Sequence, residues 1–248
     1  MARAALLRRL TWQAATVLEI REETATARTL VLAVTDWPGH LAGQHVDVKL
    51  TSEDGYSAQR SYSIASAGMP VEAPLELTVQ RVPDGEVSPY LVDAATVGDQ
   101  MEIRGPVGGY FAWQPDDGRP VLAIGGGSGV VPLMAMLRTH MVAGAKMPFR
   151  LIYSVRTPAD VIYAKELAAT GSAEVEFIYT RETPSGWPHA RGRLDAVRLS
   201  QLAYPASAAP HVFVCGPTGF VESVANALVL LGHDAMDVKT ERFGPTGG

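Results

Sequence analysis

Apolar and polar positions alternate in short runs along the first part of the chain. Residues 16–20, 29–34, 44–50, 59–64, 75–82 and 100–104 alternate or are rich in β-branched side chains. A period of two suits strands with one buried face. Turn residues separate the runs, as in Trp37-Pro38-Gly39, Glu53-Asp54-Gly55 and Gly68-Met69-Pro70. Six strands at this spacing predict a small antiparallel β-barrel. One helix interrupts them, with Ser88 as its cap and Pro89 at its first position.

The pattern changes after a linker-like segment, Pro115-Asp116-Asp117-Gly118-Arg119-Pro120. Residues 121–124 read as a short apolar strand, 131–141 have helical spacing, and 150–155 form a strand. Thr157 with Asp160 three residues on has the capping-box pattern, followed by a helix over 160–169 that stops at Gly171. Residues 174–179 and 211–215 are strands, and 219–231 a helix. Strands alternating with helices predict an α/β doubly wound parallel sheet. The expected domains are residues 1–115 and 116–248.

A length of 248 residues lets both units bury a core. At 47% hydrophobic and 19% charged, the composition is that of a soluble globular protein. A net charge of -5 gives no electrostatic footprint for nucleic acid. The single cysteine, Cys215, forms no internal disulfide and holds no iron–sulfur cluster requiring four thiolates. It fits a reducing, cytoplasmic setting. Residues 1–10 carry Arg3, Arg8 and Arg9 around too few apolar residues for a signal peptide and read as a loose start or short cap. No apolar run is long enough to span a membrane, and no metal-ligating cluster is expected.

The clearest chemical signal is Gly125-Gly126-Gly127-Ser128-Gly129, which ends a strand and opens a helix containing Pro132. Glycines let the backbone approach a phosphate, and a helix N-terminus presents free N–H groups. No Lys-Ser or Lys-Thr follows, so it is not a Walker loop. Taken alone, the segment could also be a plain strand-to-helix turn. The next strand ends Tyr153-Ser154-Val155-Arg156, without the acid that holds ribose hydroxyls in NAD-binding folds. The strand after it ends Tyr179-Thr180-Arg181. A hydroxyl and two guanidiniums suit a 2′-phosphate; the alternative is that Arg156 and Arg181 are solvated surface residues. In the barrel half, Arg60 and Tyr62 share one strand face, flanked by Ser61 and Ser63. They could grip a phosphate and stack a ring, or form a structural pair. Gly85-Glu86-Val87-Ser88 leads into a second helix N-terminus, either a cap or an anion site.

These residues resemble the ferredoxin–NADP reductase superfamily from about residue 11 to 243. The family's Arg-x-Tyr-Ser flavin motif is present as Arg60-Ser61-Tyr62-Ser63. Its flavin-phosphate turn is present as Gly85 to Ser88, its nucleotide loop as Gly125 to Gly129 with Pro132, and its late motif as Cys215-Gly216-Pro217. The resemblance implies FAD on the barrel, with Arg60 at the pyrophosphate, Tyr62 against the ring and Ser63 near N5. Gln80, Arg81 and Val82 would contact the flavin mostly through backbone, and Val87 belongs to the phosphate turn. NADPH would lie across the glycine loop, with Ser154, Arg156 and Arg181 at its 2′-phosphate. Cys215 would sit near the nicotinamide, where it need not act as a nucleophile. Its alternative is a small buried hydrophobe. Phe243 would cover the flavin face and Glu241 would handle protons. The resemblance thus implies an NADPH-dependent flavoprotein reductase. Without an iron–sulfur domain in these residues, electrons would pass to a separate acceptor, a ferredoxin or other redox protein. The alternatives are an NAD(P)H:flavin or quinone reductase acting on small molecules, and a non-catalytic electron-relay subunit.

Overall fold

The computed structural model describes residues 10–68, 73–115 and 118–244. The first half forms β1 (Gln13–Thr24), β2 (Ala27–Val34), β3 (His45–Thr51), β4 (Ser57–Ser63), β5 (Leu75–Gln80) and β6 (Gln100–Val107). They lie in the order β4-β3-β6-β1-β2-β5, and each neighbouring pair is antiparallel. The two outer strands meet through a bridge between Ile64 and Leu77 and a 2.8 Å bond from Ala65 N–H to Glu76 O. That contact closes the sheet into a barrel, which removes its open edges. Strand alternation fills the interior with Val17, Leu30, Leu32, Val46, Val48 and Leu77.

The second half forms β7 (Val121–Gly126), α1 (Val130–Val142), β8 (Phe149–Val155), α2 (Ala164–Ala169), β9 (Glu174–Tyr179), α3 (Ala196–Leu202), β10 (His211–Pro217), α4 (Thr218–Leu230) and β11 (Val238–Phe243). The strands are parallel in the order β11-β10-β7-β8-β9. Ala123, Leu151 and Phe213 pack with α1 and α2 on one face. Leu122, Ile152 and Val214 pack with α3 and α4 on the other. Covering both faces explains the continuous apolar runs in these strands. The order reverses between β7 and β10, which makes their carboxyl ends the ligand crevice expected of such sheets. Barrel residues Ala42, Ala65, Phe111 and Trp113 join the core on the α1 face, where the Phe111 and Phe213 rings meet edge-on at 5.3 Å.

Three local expectations are corrected. Ser88 does not cap a regular helix. Only a wide turn, Tyr90–Ala94, forms there, closed by a bond from Ala95 N–H to Tyr90 O. The Ser88 hydroxyl instead accepts from Val82 N–H at 3.0 Å, satisfying a donor left free where the β5 ladder has ended. The helix over 160–169 is broken. A single turn, Pro158–Asp160, precedes Tyr163 in the left-handed region at φ 62°, and α2 starts only afterwards. Tyr163 is held by the barrel: its N–H donates to Glu23 at 3.1 Å and its hydroxyl to Thr78 at 2.5 Å. Such tertiary bonds outweigh the small propensity for continuing a helix. Finally, α3 and β11 form where the sequence pattern predicts no element. In β11 the sequence Val-Lys-Thr-Glu-Arg-Phe alternates too weakly to stand out from a polar tail.

Residues 1–9 with Arg3, Arg8 and Arg9, Met69 and Pro70 of one turn, Asp116 and Asp117 of the linker, and the tail 245–248 lie outside the described residues. Among those described, no helix is long and apolar enough to cross a membrane, and no group of acid, histidine or cysteine side chains could hold a metal.

Candidate functional site

The barrel part of the site is built on the end of β4. Arg60 is exposed, Tyr62 is half-buried against the barrel core, and Ser63 is buried. Burial pushes the Tyr62 phenol up to about 12, so it stays neutral and can offer its ring and hydroxyl. Ser63 is only 5% exposed, yet its hydroxyl has no hydrogen-bond partner among the described residues. Ser61 lies on the strand face opposite Arg60 and Tyr62, donating to Asp47 at 2.7 Å. The Gly85 turn folds back onto this strand. Arg60 Nη2 pairs with Glu86 Oε2 at 2.9 Å, and the Tyr56 hydroxyl donates to the same carboxylate. Val87 is fully buried in the barrel. Gln80 closes β5 half-buried, and exposed Arg81 and Val82 follow in the turn.

The nucleotide part sits where β7 and β10 end side by side. Gly125 and Gly126 close β7, and Gly127, Ser128 and Gly129 make one tight turn into α1. Pro132 is buried in its first turn. A Cβ on Gly129 would lie 2.2 Å from the Cys215 carbonyl oxygen and 2.7 Å from Gly216 Cα. The glycine loop and the Cys215-Gly216-Pro217 segment are therefore one packed unit, although 86 residues separate Gly129 from Cys215. A Cβ on Gly126 would strike the Phe220 ring at 2.8 Å. Gly127, at φ 55° with open space beside it, needs glycine for its backbone alone. The loop brings its backbone to the start of a 13-residue helix, whose N-terminus can receive an anion.

Cys215 is fully buried, and burial raises its thiol well above the ordinary range. It is a neutral packing thiol, which suits positioning and not nucleophilic attack. Its register partner on β11 is Glu241. Burial pushes the Glu241 carboxyl up to about 7, and its Oε2 has no partner among the described residues. Phe243 pairs in register with Pro217 and packs half-buried on the core face shared with the barrel. Lys239, two positions before Glu241, reaches Ala112 O in the barrel at 3.5 Å.

At the tips of β8 and β9, buried Ser154 precedes exposed Arg156. Arg156 O accepts from Arg181 N–H at 2.9 Å, which holds the two arginines side by side. Arg191 donates to Arg181 O at 3.0 Å and adds a third guanidinium that the sequence pattern does not single out. Glu86 is a further addition, and its place between Gly85 and Ser88 was a usable signal.

The family model of the oxidoreductase FAD-binding domain matches residues 15–112, and that of the oxidoreductase NAD-binding domain matches 123–226. The chain is 36% identical over 211 residues to the glycine betaine monooxygenase reductase subunit of Chromohalobacter salexigens, covering 82% of this chain and 56% of that protein. It is 32% identical over 238 residues to the ferredoxin reductase component of 3-ketosteroid-9-alpha-monooxygenase from Rhodococcus rhodochrous, covering 94% and 65%. The chain thus spans a little over half to two thirds of these relatives. The fold superposes on the crystal structure of the flavohaem-like FAD/NAD-binding domain of nitric oxide dioxygenase from Vibrio cholerae. The TM-score is 0.82 at 27% identity, covering 94% of this chain and 99% of that one. With a flavin-domain match on the barrel and a nucleotide-domain match on the sheet that follows, the chain belongs to the ferredoxin–NADP reductase superfamily.

Proposed function

We propose that the chain holds FAD on the barrel and NADPH on the α/β half, in domains 1–115 and 116–248, and passes electrons to a separate redox protein such as a ferredoxin. The observation that carries this reading is the orphaned hydroxyl of Ser63. A buried polar group without a partner costs about 1–3 kcal/mol, and a flavin ring edge seated beside Tyr62 would satisfy it. A bound flavin would supply the exchange between a two-electron nicotinamide donor and a one-electron acceptor. The protein's own residues bind and orient. Tyr62 offers a ring face, Arg60 a phosphate-binding guanidinium, and the Gly125 to Gly129 loop an anion site. Ser154, Arg156 and Arg181 support the 2′-phosphate, while Phe243 and Glu241 flank Cys215 on the face turned to the barrel. The names of the two relatives, a reductase subunit and a ferredoxin reductase component, support a protein acceptor. The neutral single cysteine supports a reducing, cytoplasmic setting.

The reading is tested by the visible spectrum of the purified protein under anaerobic conditions. A yellow protein that NADPH bleaches faster than NADH is expected. A colourless protein that takes up no FAD, or a yellow one that neither nucleotide bleaches, would overturn it. Faster turnover with a ferredoxin at low salt than at high salt would identify a docked protein acceptor.

Two substitutions separate the binding roles. Arg60→Ala removes a charge-assisted phosphate contact of about 1.5–3 kcal/mol, so its dissociation constant for FAD should rise about 10- to 100-fold by fluorescence titration. Unchanged FAD retention would remove Arg60 from the site. Arg156→Ala should raise the Michaelis constant for NADPH by about tenfold, the effect of losing one exposed phosphate contact, and that for NADH hardly at all. Equal changes with both nucleotides would end the argument for 2′-phosphate recognition.

A further inference from the structure

A buried guanidinium crosses the seam between the two halves. Arg138 lies on α1, two turns beyond the glycine loop, and its side chain is only 14% exposed. Its Nη1 donates to Ala65 O at 2.8 Å and to Glu76 Oε2 at 2.9 Å. Its Nε and Nη2 grip Glu166 Oε1 and Oε2 at 2.8 and 2.6 Å. Its guanidinium stands 4.9 Å from the centre of the Tyr163 ring. Tyr163 in turn reaches Thr78, and Thr78 meets Thr29 at 2.7 Å. These partners are placed along the flavin side. Ala65 follows Ser63 by two residues, and Glu76 and Thr78 lie on β5, which runs into Gln80. One side chain therefore ties the helix that opens at the nucleotide loop to β5 and to the segment that follows β4.

We infer that Arg138 is a positioning residue: its clamp on Ala65, Glu76 and Glu166 sets the orientation of the nucleotide loop relative to the flavin-side strands. The inference rests on the proposed function. Apolar contacts across the seam, such as Phe111 on Phe213, tolerate sliding because they are non-directional. Across the seam Arg138 Nη1 makes two directional bonds, to Ala65 O and Glu76 Oε2, and its bidentate grip on Glu166 of α2 holds the guanidinium in place from its own half. Stability alone does not call for it, since buried ion pairs are often replaceable by apolar side chains of similar volume without loss. Reaction rate is far more sensitive, because a misplacement of about 1 Å can cost about 100-fold.

The test uses the full chain loaded with FAD, comparing wild type with Arg138→Met, Arg138→Lys and Glu166→Gln. Stopped-flow flavin reduction across NADPH concentrations separates the limiting rate from nucleotide affinity. A distance readout independent of activity comes from spin labels on Glu53→Cys and Glu222→Cys, both exposed and one in each half. Cys215 is buried and stays unlabelled. Arg138→Met should lower the limiting rate about 10- to 100-fold and broaden the distance distribution. FAD occupancy and nucleotide affinity should stay within about twofold, since no binding contact is removed. Arg138→Lys should fall between the two, keeping the charge without the fork. A wild-type limiting rate in Arg138→Met overturns the inference. So does a rate loss matched by lost FAD or nucleotide binding with unchanged distances. If Arg138→Met does not fold, Glu166→Gln decides: a several-fold drop in limiting rate supports the clamp and no drop overturns it. Failure of the proposed function looks different. Wild-type flavin would then bleach with dithionite but not with NADPH, whereas normal wild-type reduction with indistinguishable variants sinks only the role of Arg138.

Discussion

Replacing Gly129 with alanine is expected to abolish productive nucleotide binding and to lower stability by about 3 kcal/mol or more, the upper range for overpacked sites. Local propensity argues the other way. Gly129 sits at φ -61° and ψ -10°, ordinary helical space, where alanine is favoured over glycine by about 1 kcal/mol. Sterics decide the sign, because the new methyl carbon would lie 2.2 Å from Cys215 O, 2.5 Å from Cys215 C and 2.7 Å from Gly216 Cα. All three are backbone atoms, so no rotamer change relieves the clash. The β10 end must move away from the loop, and the shared crevice opens. Gly127→Ala is the control. It meets nothing within 4 Å but sits at φ 55°, so it should cost only about 1–2 kcal/mol through its left-handed backbone. Thermal unfolding and the NADPH dependence of flavin reduction check both. An unshifted Tm for Gly129→Ala would show that the loop does not pack tightly on Cys215-Gly216-Pro217.

Glu241→Gln should make the protein more stable at pH 8 by about 1–3 kcal/mol and leave it nearly unchanged at pH 5. Burial raises the folded-state pKa of Glu241 from the ordinary carboxylate value of 4.5 to about 7. Between those values the unfolded chain has lost its proton and the folded chain still holds one. Stability contributed by this group is therefore fully present below about 4.5 and declines as pH rises to about 7. A tenfold change in proton affinity corresponds to about 1.4 kcal/mol, and the residue's partial exposure places the expected loss at or below about 3 kcal/mol. Glutamine cannot ionise, so the pH-dependent loss disappears. Urea unfolding at pH 5 and pH 8 measures it. A variant whose stability tracks wild type at both values would show that Glu241 titrates as an ordinary surface acid.

Much of this site was legible because each contributing segment carries its own short signal. Gly125 to Gly129 announces a tight strand-to-helix turn, and Arg60 with Tyr62 announces a shared strand face by a period of two. Ser154, Arg156 and Arg181 stand out as hydroxyl and guanidiniums at strand tips. Other features gave no such sign. Arg138 reads as one charge in a largely apolar helix, and nothing nearby in sequence marks Ala65, Glu76 or Glu166 as its partners. The left-handed Tyr163 breaks a helix that local pattern favours, because its N–H and hydroxyl are claimed by Glu23 and Thr78 in the barrel. Ser88 has the right residue type for a cap, but its hydroxyl accepts from Val82 N–H instead. The strand β11 went unseen because a sheet edge next to β10 tolerates charged residues that a central strand would not.

By itself the sequence determined two units, their strand and helix periods, and the residue types available for flavin and nucleotide phosphate. Those properties are local, since backbone sterics and side-chain periodicity act over a few residues. Tertiary structure alone decided that the barrel closes through Ile64 and Leu77, that Gly129 has no room for a methyl group, that the Ser63 hydroxyl is left without a partner, and that Glu241 is poised near neutrality. Each depends on which atoms exclude water or space from a point in the fold, and those atoms come from segments tens of residues apart that are adjacent only after packing.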